Sequence, residues 1–275
     1  MAREKILLRK DEVSRLYVKR RLSTQRVADL LSCSQGTIIN RLREWGVKAR
    51  GKAQMRIQYE KKPFSGDQCE KAYLLGFRLG DLNVYKPKGN SKILVVRCHT
   101  TIQEQARLIK SLFEKYGGVK ICNSLKNGFT INCFVDDSFQ FLYSKNLPSW
   151  VFKDRITAIS FIAGYTDAEG SFGLNQGKGR FKMDAYDYEI LREINSFLAR
   201  NKILTKFYCI ARKDTFSVSN GIWNDNLWRL NVNVAGSLEE FIITILPYLK
   251  HKARIKDAKR VLNNIYTRRN NGTIR

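Results

Sequence analysis

Residues 159–172 read ISFIAGYTDAEGSF: an apolar run, two acids with one small residue between them, and a glycine. Gly164 and Ala168 are four residues apart, so on a helix they share a face and leave no side chain to hold a second helix away. Asp167 and Glu169 fall at the end of the run, where Gly170 can take the left-handed conformation that stops a helix. Ser171 and Phe172 then begin a strand-like pattern. A carboxylate fixed at a helix end beside such a seam offers hard oxygen atoms to a divalent cation.

The pattern recurs. Residues 74–82 read LLGFRLGDL, with Gly76 and Gly80 four apart and Asp81 directly after the second, as Glu169 directly follows Ala168. One helix has been built twice. The two stretches resemble the paired motifs of LAGLIDADG homing endonucleases, residues 74–82 matching the first copy and residues 162–170 the second. The first copy departs at Leu79, where the pattern has an acid, and at Leu82, where it has a glycine. Asp81 stands at the position of the acid that the family uses on metal.

The resemblance covers roughly residues 68–266. It implies that the motif helices pack through Gly76, Gly80, Gly164 and Ala168 and bring Asp81 and Glu169 together as catalytic acids. It also implies a divalent ion, Mg²⁺ or Mn²⁺, held at Asp81 and Glu169 with Gly80 and Ala168 alongside. In the segment LPYLKHK, Lys252 matches the lysine that the family places near the scissile phosphate, where a lysine with a buried stem could stabilise developing charge. A basic helix touching the DNA backbone only is the competing reading. Lys145, ahead of Leu147 and Pro148, is the weaker first-half candidate for the same role.

The alternation around the two motifs repeats as well. After Asp81, strands over 83–86 and 93–98 flank a Pro-Lys-Gly-Asn turn, followed by a helix over 102–116. Strands over 119–125 and 129–135 flank Asn127-Gly128, a strong hairpin signal, and a helix over 136–145 follows. The second half predicts strands over 172–176 and 180–185, a helix over 187–200, strands over 205–213 and 227–234, and a helix over 237–246. The fold expected is α+β, with two pseudo-symmetric αββαββα halves forming a DNA-binding saddle behind a small all-α helix-turn-helix-like domain. On the free sheet face Arg180, Lys182, Lys206, Arg229, Asn231 and Asn233 are candidate DNA contacts, because Lys and Arg fork onto guanine and Asn onto adenine. For any single one of them a solvated strand face is the simpler reading, and the set is more telling than its members.

Residues 1–45 read as three short helices, with Ser23 or Thr24 capping the second and Ser34 the third. The spacing of Ala28, Ser34, Thr37, Ile38 and Leu42 resembles a helix-turn-helix, with Ser32 where a glycine commonly makes the turn. That puts Gln35, Gly36, Thr37, Asn40 and Arg41 on the side that would meet DNA. A helical trio with a purely packing role is the alternative. Residues 46–66 lose the apolar period and gather Lys and Arg, which predicts a basic linker. The remaining boundaries expected are 67–150 for the first half and 151–275 for the second.

Charge agrees with a nucleic-acid partner. The 275 residues carry 50 Lys and Arg against 25 Asp and Glu, a net +25 that repels itself unless it meets a polyanion. Six cysteines without a CxxC pair, and two histidines, indicate neither a disulfide framework nor a zinc site. No export signal or apolar span is visible, so an intracellular, reducing, DNA-containing compartment, prokaryotic cytoplasm or organelle, is expected. The function expected is a monomeric, site-specific DNA endonuclease cutting both strands of a long, weakly symmetric duplex site. The alternatives are an intron RNA maturase and a transcription regulator using the same scaffold.

Overall fold

The computed structural model describes residues 8–48, 60–87, 92–123, 128–217 and 221–274, and they divide into two units, 1–60 and 61–275. In the first unit, α1 (Lys10–Ser14) runs on into a π-helical turn, Arg15–Lys19, and is followed by α2 (Thr24–Leu30) and α3 (Gln35–Glu44). Ser23 caps α2 by accepting from the Arg26 N–H, and Ser34 caps α3 by accepting from that of Thr37. Each cap satisfies one of the donors that a helix start leaves open. Val13, Leu16, Tyr17, Val27, Ala28, Ile38 and Leu42 form the core of this unit. Ser32 takes a left-handed φ of 51°, the conformation for which glycine is the easier residue.

The second unit opens with α4 (Gln68–Asp81), then β1 (Asn83–Tyr85), β2 (Ile93–Thr100), α5 (Gln103–Phe113), β3 (Gly118–Asn123), β4 (Phe129–Asp136) and a 3₁₀ turn, Asp137–Leu142. The plan repeats with α6 (Arg155–Glu169), β5 (Gly170–Asn175), β6 (Lys178–Ala185), α7 (Tyr188–Arg200), β7 (Lys206–Ala211), a short hairpin of β8 (Phe216–Ser217) and β9 (Gly221–Ile222), β10 (Leu227–Val232) and α8 (Ala235–Ile245). A 3₁₀ turn, Leu246–Tyr248, and α9 (Lys252–Asn270) complete the chain. The fold is mixed α+β. Its two four-stranded antiparallel sheets have the orders β1-β2-β4-β3 and β5-β6-β10-β7, the same path in each half.

Alternation along the strands explains the burial. Leu94, Val96, Cys98, Ile131, Cys133 and Val135 of the first sheet are all but excluded from solvent, as are Phe172, Phe181, Met183, Leu230 and Val232 of the second. Each sheet therefore turns one apolar face to the core and leaves the intervening polar residues on the other.

Several expectations change here. The helix expected over 136–145 is only the 3₁₀ turn, and the β8–β9 hairpin within 213–226 was not anticipated. Residues 88–90 of the Pro-Lys-Gly-Asn turn and Asn127 lie outside the described residues, as does most of the predicted basic linker. The end of that linker is not loose. The Lys62 N–H donates to the carbonyl of Tyr116, the Phe64 N–H donates to Ser138, and the Phe64 ring packs against Tyr116, Phe139 and Phe141. Burial of that aromatic side chain outweighs the flexibility that the surrounding lysines suggest.

Candidate active site at the helix seam

Helices α4 and α6 begin alike: Asp67 caps the first by accepting from the Glu70 N–H, and Asp154 caps the second by accepting from those of Ile156 and Thr157. Beyond the caps their small residues meet. A Cβ on Gly76 would lie 2.1 Å from the carbonyl oxygen of Phe161, and one on Gly164 would lie 2.1 Å from that of Tyr73. Those distances are impossible for real atoms, so only glycine permits this approach. The contact is reciprocal, 76 on 161 and 164 on 73, as a local twofold requires. Tyr73 stacks on Phe77 at 6.3 Å, and Phe161 on Tyr165 at 6.2 Å, in the same arrangement on either side.

The seam carries the acids to one place. A Cβ on Gly80 would meet the Cβ of Ala168 at 2.5 Å and Oε1 of Glu169 at 3.4 Å, so the carboxylate of Glu169 lies beside the residue that precedes Asp81. Burial and the charge of Asp81 push the Glu169 carboxyl up to about 7, with further pressure from Asp187 and relief from Arg254. Asp81 is also raised, by burial, against the counteracting hydrogen bond from Gln105 and the charge of Arg254. Two half-buried carboxylates, both raised by burial and one raised further by the other's charge, are a site short of positive charge.

Gly170 does not adopt a left-handed conformation. Its φ is −74° and its ψ 151°, so α6 passes straight into β5 without an intervening loop. Glycine is needed there for space, since a Cβ would come within 2.7 Å of the Thr166 carbonyl oxygen. The direct passage places the edge of the second sheet next to Glu169.

The other acid of the motif has a different task. Asp167 is buried, and its Oδ2 accepts from the Tyr73 hydroxyl at 2.6 Å, the Lys250 N–H at 2.6 Å and the His251 N–H at 3.0 Å. It ties the segment before α9 to the seam. Lys252 is exposed at the first position of α9, and its stem is not buried. Arg254, one half-turn further, is the cation whose charge reaches Asp81, Asp167 and Glu169. Sequence reading missed Arg254 and Gln105, because neither stands in a motif and both reach the acids only through the fold. Lys145 lies near Asp187 and opposes the rise in its pKa, in a cleft of about 730 Å³ also lined by Pro148, Tyr186 and Tyr188.

On the polar face of the second sheet, pairing sets Lys182 opposite Asn231 and Asp184 opposite Arg229, with Asn231 opposite Lys206 and Arg229 opposite Tyr208 on the far side. Arg229 is held by Asp184 through two hydrogen bonds, and Lys182 lies 3.3 Å from the same carboxylate. The amide of Asn233, turned so that its oxygen accepts, faces Arg180 at 3.3 Å. The first sheet presents Asn83, Arg97, His99, Lys120, Thr130 and Asn132 in the same rows. Those residues were not singled out from the sequence, although the same alternation contains them. In the first unit Gln35, Gly36 and Asn40 are exposed, although the Gln35 amide donates to the Thr24 hydroxyl at 2.9 Å; Thr37 hydrogen-bonds Ser34, and Arg41 pairs with Glu44.

Among the described residues no helix is long and apolar enough to cross a membrane, and no three His, Cys, Asp or Glu side chains gather as a metal cage.

A family description, the LAGLIDADG-like domain, matches residues 157–245, from the first turn of α6 to the end of α8. No curated protein matches the chain. Among solved structures, the homing endonuclease I-DmoI, in mesophilic variants, is similar at 19% identity and a TM-score of 0.48, over 66% of this chain and 96% of its own. The homing endonuclease I-WcaI bound to its DNA recognition sequence is similar at 13% identity and a TM-score of 0.46, over 69% and 86%. Full-length DUF199/WhiA from Thermatoga maritima is similar at 16% identity and a TM-score of 0.49, over 76% and 63%.

Proposed function

We propose that the protein is a site-specific DNA endonuclease that hydrolyses phosphodiester bonds with a divalent metal ion, Mg²⁺ or Mn²⁺. The observation that carries this is the position of Asp81 and Glu169: a seam that only glycine permits sets two part-buried carboxylates close together, burial raising the pKa of both and the charge of Asp81 raising that of Glu169 further. A module without metal chemistry gains nothing from unpaired acids there, since buried like charges cost stability. That separates this reading from a regulator using the scaffold alone.

The donor set fits a hard cation. The carboxylates offer oxygen only, and the carbonyls of Gly80 and Ala168 lie in the last helical turns, where the backbone leaves C=O groups without an intrahelical donor. When bound, such an ion lowers the pKa of a water and neutralises charge on a leaving oxygen. The chain's own groups do the rest. Gln105 fixes the carboxylate of Asp81 by donating to it. Arg254 offsets the charge of the acids and supplies a cation near the developing phosphorane. The basic and amide residues on both sheet faces hold duplex DNA across the acids, and the first unit adds DNA contacts of its own.

The test is cleavage of a randomised duplex library in Mg²⁺ by the wild type, Asp81→Asn and Glu169→Gln, with binding followed in Ca²⁺. Retained binding with loss of cutting of at least one strand in each variant is expected. Undiminished double-strand cleavage by both variants would remove the mechanism and favour a regulator.

A further inference from the structure

Both sheets hold one arginine by the same edge. In the second, Arg229 donates from Nε to Oδ1 of Asp184 at 2.6 Å and from Nη2 to Oδ2 at 2.7 Å. In the first, Arg97 donates from Nε to Oδ1 of Asn132 at 2.8 Å and from Nη2 to the Tyr85 hydroxyl at 2.9 Å, with its guanidinium 5.2 Å from that ring. A guanidinium carries five N–H donors in a rigid fork. Occupying the Nε–Nη2 edge with carboxylate, amide and phenol acceptors leaves the Nη1–Nη2 end without an acid or amide partner, Tyr208 being the one further group beside Arg229, and that end presents two parallel N–H groups. It matches O6 and N7 of guanine in the major groove.

We propose that Arg97 and Arg229 are the two guanine readers of this protein, each aimed in advance by neighbours on its own sheet. The inference rests on the proposed DNA recognition and adds which bases are read and where. Ion pairing would ordinarily disqualify Arg229 as a DNA contact. Here it does the opposite, because the side chain is already ordered and the acid uses only one edge of it. Less conformational freedom is lost on binding, and a misaligned base leaves a fixed donor pair unsatisfied. Arg180 lacks this support: its Nε has no partner and only Nη1 faces Asn233.

The two arginines do not occupy equivalent rows. Gly170, directly after Glu169, is opposite Met183, so the row of Asp184 and Arg229 borders the helix end. In the first half Asn83, two residues after Asp81, is opposite Arg97, so the row bordering that helix end is His99 with Thr130, and Arg97 stands in the next row out. Two residues of antiparallel strand span about 7 Å, close to the rise of two base pairs for strands lying along the groove. The guanine under Arg229 should therefore lie about two base pairs nearer the centre of the site than the one under Arg97.

Selection of the full-length protein on a randomised duplex in Ca²⁺, followed by sequencing, tests this. The wild type is expected to enrich guanine at one inner and one outer position. Arg229→Met should abolish the inner preference alone and Arg97→Met the outer preference alone, each reducing discrimination there by about tenfold or more. Asp184→Asn should weaken the inner preference and leave the outer one intact, an effect that a simple phosphate contact would not produce. Guanine preferences that survive both Met variants, or affinity that falls uniformly over all sequences, would overturn the assignment. Failure of the wild type to enrich any sequence would instead remove the DNA-recognition reading, and the assignment with it.

Discussion

The hydroxyl of Tyr73 on α4 donates to Asp167 on α6 across the seam, at 2.6 Å, and the corresponding place in the other half is filled by Phe161 and Leu79. The two departures belong together. Where the motif loses its acid at Leu79, the helix opposite loses its hydroxyl, so the Tyr73 hydroxyl keeps its acceptor and the other half buries no hydroxyl or acid at that point. The asymmetry also has a use, since Asp167 additionally holds the backbone of Lys250 and His251.

Asp167→Leu should accordingly destabilise the protein by about 2–4 kcal/mol, because it orphans two backbone donors and one hydroxyl. Tyr73→Phe alone should cost about 1 kcal/mol. Chemical denaturation of both single variants and the double variant measures the coupling. Strict additivity would contradict a shared hydrogen bond.

Gly76→Ala and Gly164→Ala should each be severely disruptive, costing about 3 kcal/mol or more, because the added methyl group meets rigid backbone at 2.1 Å. Gly173→Ala is the control. Nothing lies within 4 Å of a Cβ there, so a change within about 0.5 kcal/mol is expected from the same melts. A seam variant as stable as the control would mean that α4 and α6 are not locked at these positions.

Glu169 links stability to pH. In the folded chain its carboxyl is pushed up to about 7, above its ordinary value in an unfolded chain. Between those two values the folded state holds a proton that the unfolded state has released, so stability falls as pH rises through that window and stays reduced above it. Without divalent ions the Tm should therefore drop from about pH 5 to about pH 8, and Glu169→Gln should remove part of the drop, with Asp81 responsible for more. Mg²⁺ should raise the Tm at the upper pH and scarcely at the lower one, where protonated carboxyls bind it poorly. Identical pH profiles for the wild type and Glu169→Gln would refute this coupling.

Arg254 and Lys252 can be separated by the same profile. Arg254→Met removes a charge that lowers Glu169, so the drop should extend to higher pH, and cleavage should slow on the order of a hundredfold as a phosphate-facing cation is lost. Lys252→Met, at an exposed position, should leave the profile unchanged. If cleavage nevertheless collapses in Lys252→Met alone, the lysine, rather than the arginine, acts on the phosphate.

Local patterns made much of this legible in the chain. Four-residue spacing of Gly76 with Gly80 and of Gly164 with Ala168 contains the seam, because helix periodicity alone decides which residues share a face. Alternation gave both sheets within a few residues at each end. What could not be read was long-range partnership: Gln105 finds Asp81 across 24 residues, and Arg229 finds Asp184 across 45. Nor does a sequence reveal that Gly170 serves for close approach to Thr166 rather than for a left-handed turn, since both needs select the same residue.

The first unit offers the last prediction. Both acids, both sheets, Gln105 and Arg254 lie within residues 61–275, a unit with its own core, so the chemistry requires nothing from residues 1–60. A chain starting at residue 61 should fold and cut. It should bind duplex DNA more weakly and with a shallower dependence on salt, because fewer phosphate contacts release fewer counterions. The slope of log affinity against log salt, measured in Ca²⁺ for both lengths, is the readout. If Gln35 and Asn40 read bases as well, the full-length protein alone should protect and select additional base pairs beyond the core site. Equal slopes and equal footprints would make the three helices a packing module with no part in DNA binding.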